Sequence, residues 1–396
     1  MGEIMKKASV YLLLICLLSS CSLKYNYEVN PYDVMGVIDD NGEYIPALNS
    51  FVKLQMYNEN ELKEVRSSFS STIQKVHIIS DSYHSYFGNN NVKTINENYG
   101  KEAINVDPLL IDLVNKGIEL TKLTKGIFNI TMGQTISLWS DAFNNIDNSL
   151  TADDPNHEEI GKSLTSIINY EEIDNYIKID QENSTIKIEN KEDALMPVLL
   201  NFGGISKGFA LDQVNDLFLN NQPGIISAGS SSISLKGTFP LSNRKYYLIN
   251  IREPSFYKSS QQEVFLQIAL DKYINISNSG DYEKFFFTKD TNILRSHIIN
   301  ASTGFSDNYH RTAIVFSDTY SYVLDVLSTT LMNLETIDEI KEMVKRFEDF
   351  YKTSIAYCII DDFENGFKLS INEKFNDCIV ENKISSIIKD IQVIKN

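Results

Sequence analysis

Apolar positions along this chain change period several times, and each change marks an element. Leu62, Val65, Phe69, Ile73, Val76, Ile79 and Tyr83 recur three and four apart, which predicts one long amphipathic helix. Asp107-Pro108 supplies an N-cap and a first-turn proline for a second helix through Leu109, Leu110, Leu113 and Val114, stopped near Gly126. Leu211, Val214, Leu217 and Phe218 give another helical face, and Ile337, Ile340, Val344 and Phe347 a further one. Between these the period drops to two. Residues 176–190 predict a hairpin, and 246–251 and 264–270 alternate in the same way between turn residues. Helices and strands mix without a regular strand–helix alternation, which points to an α+β fold rather than a doubly wound sheet. From Pro46 to residue 396 there is no low-complexity linker and no repeat, so this stretch reads as one folded unit.

The amino-terminal residues follow a different logic. Lys6 and Lys7 precede an apolar run from Val10 to Leu18, and Ser19-Ser20 lead to Cys21, which is a signal-peptide pattern too short to span a bilayer. Met5 also suits the start of such a signal. A cysteine at the cut is similar to a bacterial lipobox, with cleavage before Cys21 and lipid on its sulfur; a cleaved signal with an incidental cysteine is the other reading. The expectation is a protein exported and lipid-anchored, facing the periplasm or the cell exterior. Ser22 after the cysteine favours the outer membrane in a cell that has one. Residues 22–45 are polar and predict a tether. That leaves Cys358 and Cys378, whose pairing stays open, and no Cys/His spacing suggests zinc or an iron–sulfur cluster. A net charge of −17 argues against nucleic acid and against adsorption to anionic lipid, leaving the anchor as the membrane contact.

Candidate chemistry gathers late in the chain. In NFGGISKGFALD (201–212), Gly203, Gly204 and Gly208 precede or open a helix with Lys207 beside it, a turn that suits a phosphate or serves simply as a turn. Asp325 and Thr329 stand four apart on a predicted helix and share one face. They suit a hard cation such as Mg²⁺, or alternatively a local cap with Thr329 bonding back to its helix. His297, at a strand–loop junction, is a candidate general base or a packed histidine. Ser277, Ser279, Gly280 and Asp281 offer donors to a ligand, or form a plain hairpin turn. Neither a G-x-S-x-G elbow, a Walker loop nor a Rossmann fingerprint is present. Together these features suggest metal-assisted cleavage of a phosphoanhydride.

Taken in order, the segments resemble the ApbE family, the FAD:protein FMN transferases. NFGGISKGFALD is similar to D-L-G-G-I-A-K-G-y-A-v-D, SNSGDYEKF to T-S-G-D-Y-e-r-F, HIINASTG to H-I-I-D-P-r-T-G, and LDVLSTTL to a-D-A-l-S-T-a-L. TKGIFNITMGQ, followed by Leu138-Trp139, is similar to an earlier T-x-G-a-F-D-i-T-v-G, and the likeness runs from about Pro46 to Ser370. The resemblance implies two lobes with FAD between them. It also implies an activity: a Mg²⁺-bound FAD attacked at its pyrophosphate by a threonine or serine hydroxyl of an acceptor flavoprotein, a subunit of a membrane redox complex, with AMP leaving. By the same resemblance Asp325, Thr329 and a backbone carbonyl at Gly204 hold the metal. Lys207 faces the phosphates, and His297 takes the acceptor's proton. Leu48, Ile127, Phe128, Asn129, Asn201, Ser279, Gly280, Asp281 and Ile298 line the FAD site, and Tyr86 packs on the flavin ring.

The chain departs from the pattern in places. Asn stands for the family's Asp at 129, 201 and 300, and Leu48-Asn49-Ser50 stands for M-G-T. Asn90-Asn91 replaces S-E, and Ser230-Ser231 replaces the second glycine and the acid of N-a-G-G-D. The losses at 129 and 201 bear on metal or adenine recognition. Two alternatives therefore accompany the transferase reading: a flavin-binding lipoprotein without chemistry, and a pyrophosphatase giving FMN and AMP.

Overall fold

The computed structural model describes residues 30–56, 59–215, 223–239, 245–254, 264–271, 273–307 and 309–395. The expected signal with Cys21, and Leu217 and Phe218, lie outside the described residues. The frame is a sheet of nine strands that lie side by side in chain order. They are β1 (Asn30–Asp33), β2 (Val52–Met56), β3 (Gly224–Ala228), β4 (Ser232–Lys236), β5 (Asn275–Gly280), β6 (Thr312–Ser317), β7 (Ala356–Phe363), β8 (Gly366–Asn372) and β9 (Ile388–Ile394). Every neighbouring pair is antiparallel except β8 and β9, which are parallel.

Successive residues of a strand point to opposite faces, and the middle strands bury both faces. Ala313, Val315, Tyr357 and Ile359 enter a large core with the helices. Ile314, Phe316, Ala356, Cys358 and Ile360 enter a second core on the other side. The second core is closed by a three-stranded sheet of 247–251, 266–270 and 379–384, so the two alternating segments do pair as a hairpin. Cys358 and Cys378 are both free thiols.

Helices accompany the sheet, and among them Gly133–Asn144 has no period predicted from the sequence. They are α1 (Glu59–Ser80), α2 (Pro108–Leu123), α3 (Gly133–Asn144), α4 (Ser206–Gln213), α5 (Ser321–Met332) and α6 (Ile337–Tyr351). The Asp107 carboxylate accepts from the Leu109 N–H, and Pro108 takes N1, as the sequence indicates. Helix α1 ends at Ser80, so Tyr83 lies beyond it. A third, smaller core collects Trp139 and Phe143 of α3 with Phe286 and Ile299, and the Trp139 indole N–H donates to the Gly304 carbonyl at 2.7 Å.

Two expectations need correcting. Residues 30–45 are not a tether: β1 pairs with β2, residues 37–38 and 44–45 form a small hairpin, and Val34 and Ile45 are buried. Alternation there is short and interrupted by Gly and Asp, which hid it. Likewise Ser277, Ser279 and Gly280 belong to β5 in the middle of the sheet, not to a hairpin turn.

Candidate active site

The centre of the site is a carboxylate that the fold surrounds with donors. Asp325, in the first half of α5, is buried. Its Oδ1 accepts from the hydroxyls of Ser232 at 2.6 Å and Ser277 at 2.8 Å, which stand on adjacent strands β4 and β5. Its Oδ2 accepts from the Gly208 N–H at 2.6 Å, an N–H of the first turn of α4 that no carbonyl of that helix can reach. From there a file of hydroxyls runs on: Ser277 to Ser328 at 3.0 Å, Ser328 to Ser279 at 2.8 Å, and Ser279 to Thr329 at 3.3 Å. Asp325 and Thr329 therefore do share a face, tied together through the sheet beneath them. Burial pushes the Asp325 carboxyl above its usual range, and Ser232, Lys207, Ser277 and the Gly208 N–H pull it back in part.

The glycine turn works differently from the expectation. None of Gly203, Gly204 and Gly208 has a positive φ. Gly208 is needed for close packing: a Cβ there would stand 2.4 Å from the Ser321 carbonyl oxygen, where α4 meets the start of α5. Asp212, one turn on, reinforces that contact by accepting from the N–H groups of Ser321 and Tyr322, both at 2.9 Å. Gly204 lies against Phe128, and a Cβ on it would be 3.9 Å from Thr329 Oγ1. Lys207 donates to the Ser231 hydroxyl at 2.9 Å.

His297 lies just past the strand 294–296. Its backbone N–H and its Nδ1 both point at the Lys284 carbonyl, at 3.1 and 3.2 Å. Nδ1 therefore carries the proton, and Nε2 is left with a lone pair. Burial, then the charge of Lys207, and then that of Lys284 push its pKa down to about 4, with the Lys284 carbonyl opposing. The imidazole nevertheless keeps an exposed edge, beside the two lysine charges. Ile298 packs in the large core and Ile299 in the small one, so the histidine sits at the seam between these two cores.

A cleft opens beside these groups, lined by Leu48, Asn49, His77, Asp81, Tyr83, Asn201, Gly203 and Lys207, among others. Tyr86 is not on its wall. It is buried behind, with its hydroxyl donating to Asp81 at 2.6 Å and meeting His77 Nε2 at 3.0 Å, while Tyr83 stands at the rim. Asp281 is likewise withdrawn, its buried carboxylate bound by the Arg311 guanidinium at 2.6 Å. Ile127 is half-buried against the large core, and Gly280 packs against the Tyr282 ring.

Two of the three Asp-to-Asn departures, at 129 and 300, have structural reasons. The Asn129 side-chain N–H₂ donates to the Ile168 carbonyl at 2.9 Å, while its oxygen accepts from the Thr131 N–H and hydroxyl. The Asn300 side chain donates to Asp307 at 2.5 Å, a contact that two carboxylates would turn into repulsion. Asn201 uses its oxygen for the Gly203 N–H at 2.9 Å. Asn91 caps the short helix 92–97, and Ser230 donates to Glu283. Ser232, Ser328, His77 and Asp81 were not singled out from sequence. The serine run 230–232, continued two residues on by Ser234, was the available signal for the first of them.

The donor set fits a hard cation in kind: one buried carboxylate, the Thr329 hydroxyl and the backbone oxygens of the turn at Gly204, with no thiol or imidazole. Among the described residues no group of three or more His, Cys, Asp or Glu is arranged to hold a metal ion, so a divalent ion here would draw most of its ligands from neutral oxygens and from a substrate.

Solved structures share this fold. The ApbE protein of Thermotoga maritima matches with a TM-score of 0.64 at 21% identity, covering 83% of this chain and 94% of that one. The Pseudomonas stutzeri flavinyl transferase ApbE, in its apo form, gives 0.64 at 18%, covering 90% and 98%. Among curated sequences, the FAD:protein FMN transferase of Vibrio cholerae is 25% identical over 289 residues, 70% of this chain and 77% of that protein. The Haemophilus influenzae protein of the same name is 25% identical over 263 residues, 66% and 68%. The ApbE family profile matches residues 48–352, from the turn at Leu48 to the end of α6, and the chain belongs to that family.

Proposed function

We propose that the protein transfers the FMN half of FAD to a hydroxyl of an acceptor flavoprotein. Family membership and relatives named for that activity support the reaction class. The observation that carries it on this chain is the pairing across the seam: Asp325 with the hydroxyl file to Thr329 on one side, and the free Nε2 of His297 on the other, with Lys207 charged toward both.

In this reading Lys207 holds and partly neutralises the pyrophosphate. A Mg²⁺ ion at Asp325 and Thr329, when bound, would draw electron density from the bridging phosphoanhydride and ease its cleavage. Asp325 is fixed for that task by three donors, so it does not reorganise as charge develops. His297 is neutral above about pH 4, its tautomer set by the Lys284 carbonyl, and Nε2 accepts the proton of an incoming threonine or serine hydroxyl. The acceptor oxygen bonds to the FMN phosphorus, the phosphoanhydride breaks, and AMP leaves. The lipobox supports an enzyme exported and anchored through lipid on Cys21, which fits an acceptor subunit of a membrane redox complex.

Intact-mass spectrometry tests this. Protein lacking residues 1–21 is mixed with FAD, Mg²⁺ and an acceptor domain carrying an exposed threonine loop. The expected result is an FMN-sized gain on the acceptor that EDTA abolishes. FMN and AMP released with no gain on any threonine- or serine-bearing acceptor would make the protein a pyrophosphatase instead.

A further inference from the structure

One histidine outside the transfer chemistry holds the cleft wall in an unusual shape. Leu48 has φ 53° and ψ 27°, and Asn49 follows with φ 51°, so two consecutive non-glycine residues adopt the left-handed conformation on the cleft lining. A bulky residue rarely stays there unless its surroundings over-determine it. The over-determination is visible. The Leu48 N–H donates to His77 Nδ1 at 3.2 Å. His77, on the last turn of α1, is buried, and its Nε2 meets the Tyr86 hydroxyl at 3.0 Å. Tyr86 passes its own proton to Asp81 Oδ2 at 2.6 Å, and that carboxylate also accepts from the N–H groups of Tyr83 and His84 and from His84 Nδ1.

Donor and acceptor roles follow from this order. Nδ1 accepts, so the ring is neutral with its proton on Nε2, which donates to Tyr86. Burial favours that neutral form, and Asp81 opposes it without overcoming it. Neither asparagine nor glutamine has both atoms of an imidazole in place. An asparagine amide oxygen stands near Nδ1, and a glutamine amide nitrogen near Nε2.

We propose that His77 is a positioning residue for the nucleotide cleft, whose neutral ring holds the left-handed Leu48–Asn49 turn against Asn201 and Lys207 and couples it to Tyr86 and Asp81. It touches no reacting atom, and its effect is on how the cleft receives FAD. The proposal rests on the flavin reading above.

The test compares His77→Asn with His77→Gln. His77→Asn keeps an acceptor for Leu48 and loses the donor to Tyr86, so FAD affinity by titration calorimetry falls by only about threefold. His77→Gln keeps only the donor to Tyr86 and weakens FAD about tenfold, the scale of one lost buried hydrogen bond. Hydrogen exchange at the Leu48 amide, read without ligand, speeds up in the glutamine variant and stays protected in the asparagine one. If both variants bind FAD alike, or if Leu48 exchanges equally in both, the proposal is overturned while the flavin reading stands. Parent protein that fails to bind FAD overturns the two together.

Discussion

The two sides of the seam are built to different standards. Asp325 stands on a buried helix over adjacent strands and receives three hydrogen bonds from three separate elements. His297 stands at a strand end, keeps an exposed edge and is held by one carbonyl. Under the proposed transfer, the side that holds charge without moving would stand on regular structure, where packing fixes it, and the side that meets a second protein would stand at an edge, where a partner can reach. Precision and access conflict, and the fold separates them.

Asp325→Ala gives the largest effect, because it removes both the anion and the acceptor that the site was built around. Transfer is expected to fall at least about a thousandfold, and stability by about 2–4 kcal/mol as the Ser232, Ser277 and Gly208 donors lose their partner. Turnover and thermal melting check this; an unchanged melting point would show that the donors relax to other acceptors.

His297→Ala should separate the two losses. Transfer is expected to drop about a hundredfold or more with little change in melting, since the side chain anchors almost nothing. The pH dependence sharpens the contrast. The pKa is depressed in the fold, so the unfolded chain binds the proton first as pH falls. The contribution of this group to stability is thus complete above its ordinary value of 6.5 and declines as pH drops toward about 4. A pH–rate profile with His297 as base stays flat from pH 8 to about 5; an acid limb centred near 6.5 would contradict the effect of the lysines.

The smallest effects test the departures. Asn129→Asp, the residue found in the resembling pattern, loses the donor to Ile168 and is expected to destabilise the chain by about 1–3 kcal/mol. Asn201→Asp keeps the acceptor for Gly203 and should leave melting almost unchanged. Equal melting points for the two would remove the structural reason given for Asn129.

Local signals carried much of this. Helices α1, α2 and α6 were legible because their apolar spacing, and at α2 the Asp107-Pro108 cap, lie within a few residues. Asp325 and Thr329 were legible because helical spacing alone puts them on one face. The sheet was not, because its neighbours are far apart in the chain: β2 pairs with β3 across Met56 and Gly224, and no local rule links them. For the same reason Ser232 was missed as a partner of Asp325, 93 residues away. Tyr86 was assigned to the flavin ring by resemblance alone, with no local pattern to show that its hydroxyl faces a buried carboxylate instead.

One consequence follows from β1. If Cys21 carries lipid, only residues 22–29 separate the anchor from an edge strand of the main sheet. Fully extended, that leash reaches roughly 30 Å. The enzyme would then work close above the bilayer rather than sweeping a wide radius, and acceptors would be selected partly by how near the membrane they hold their hydroxyl.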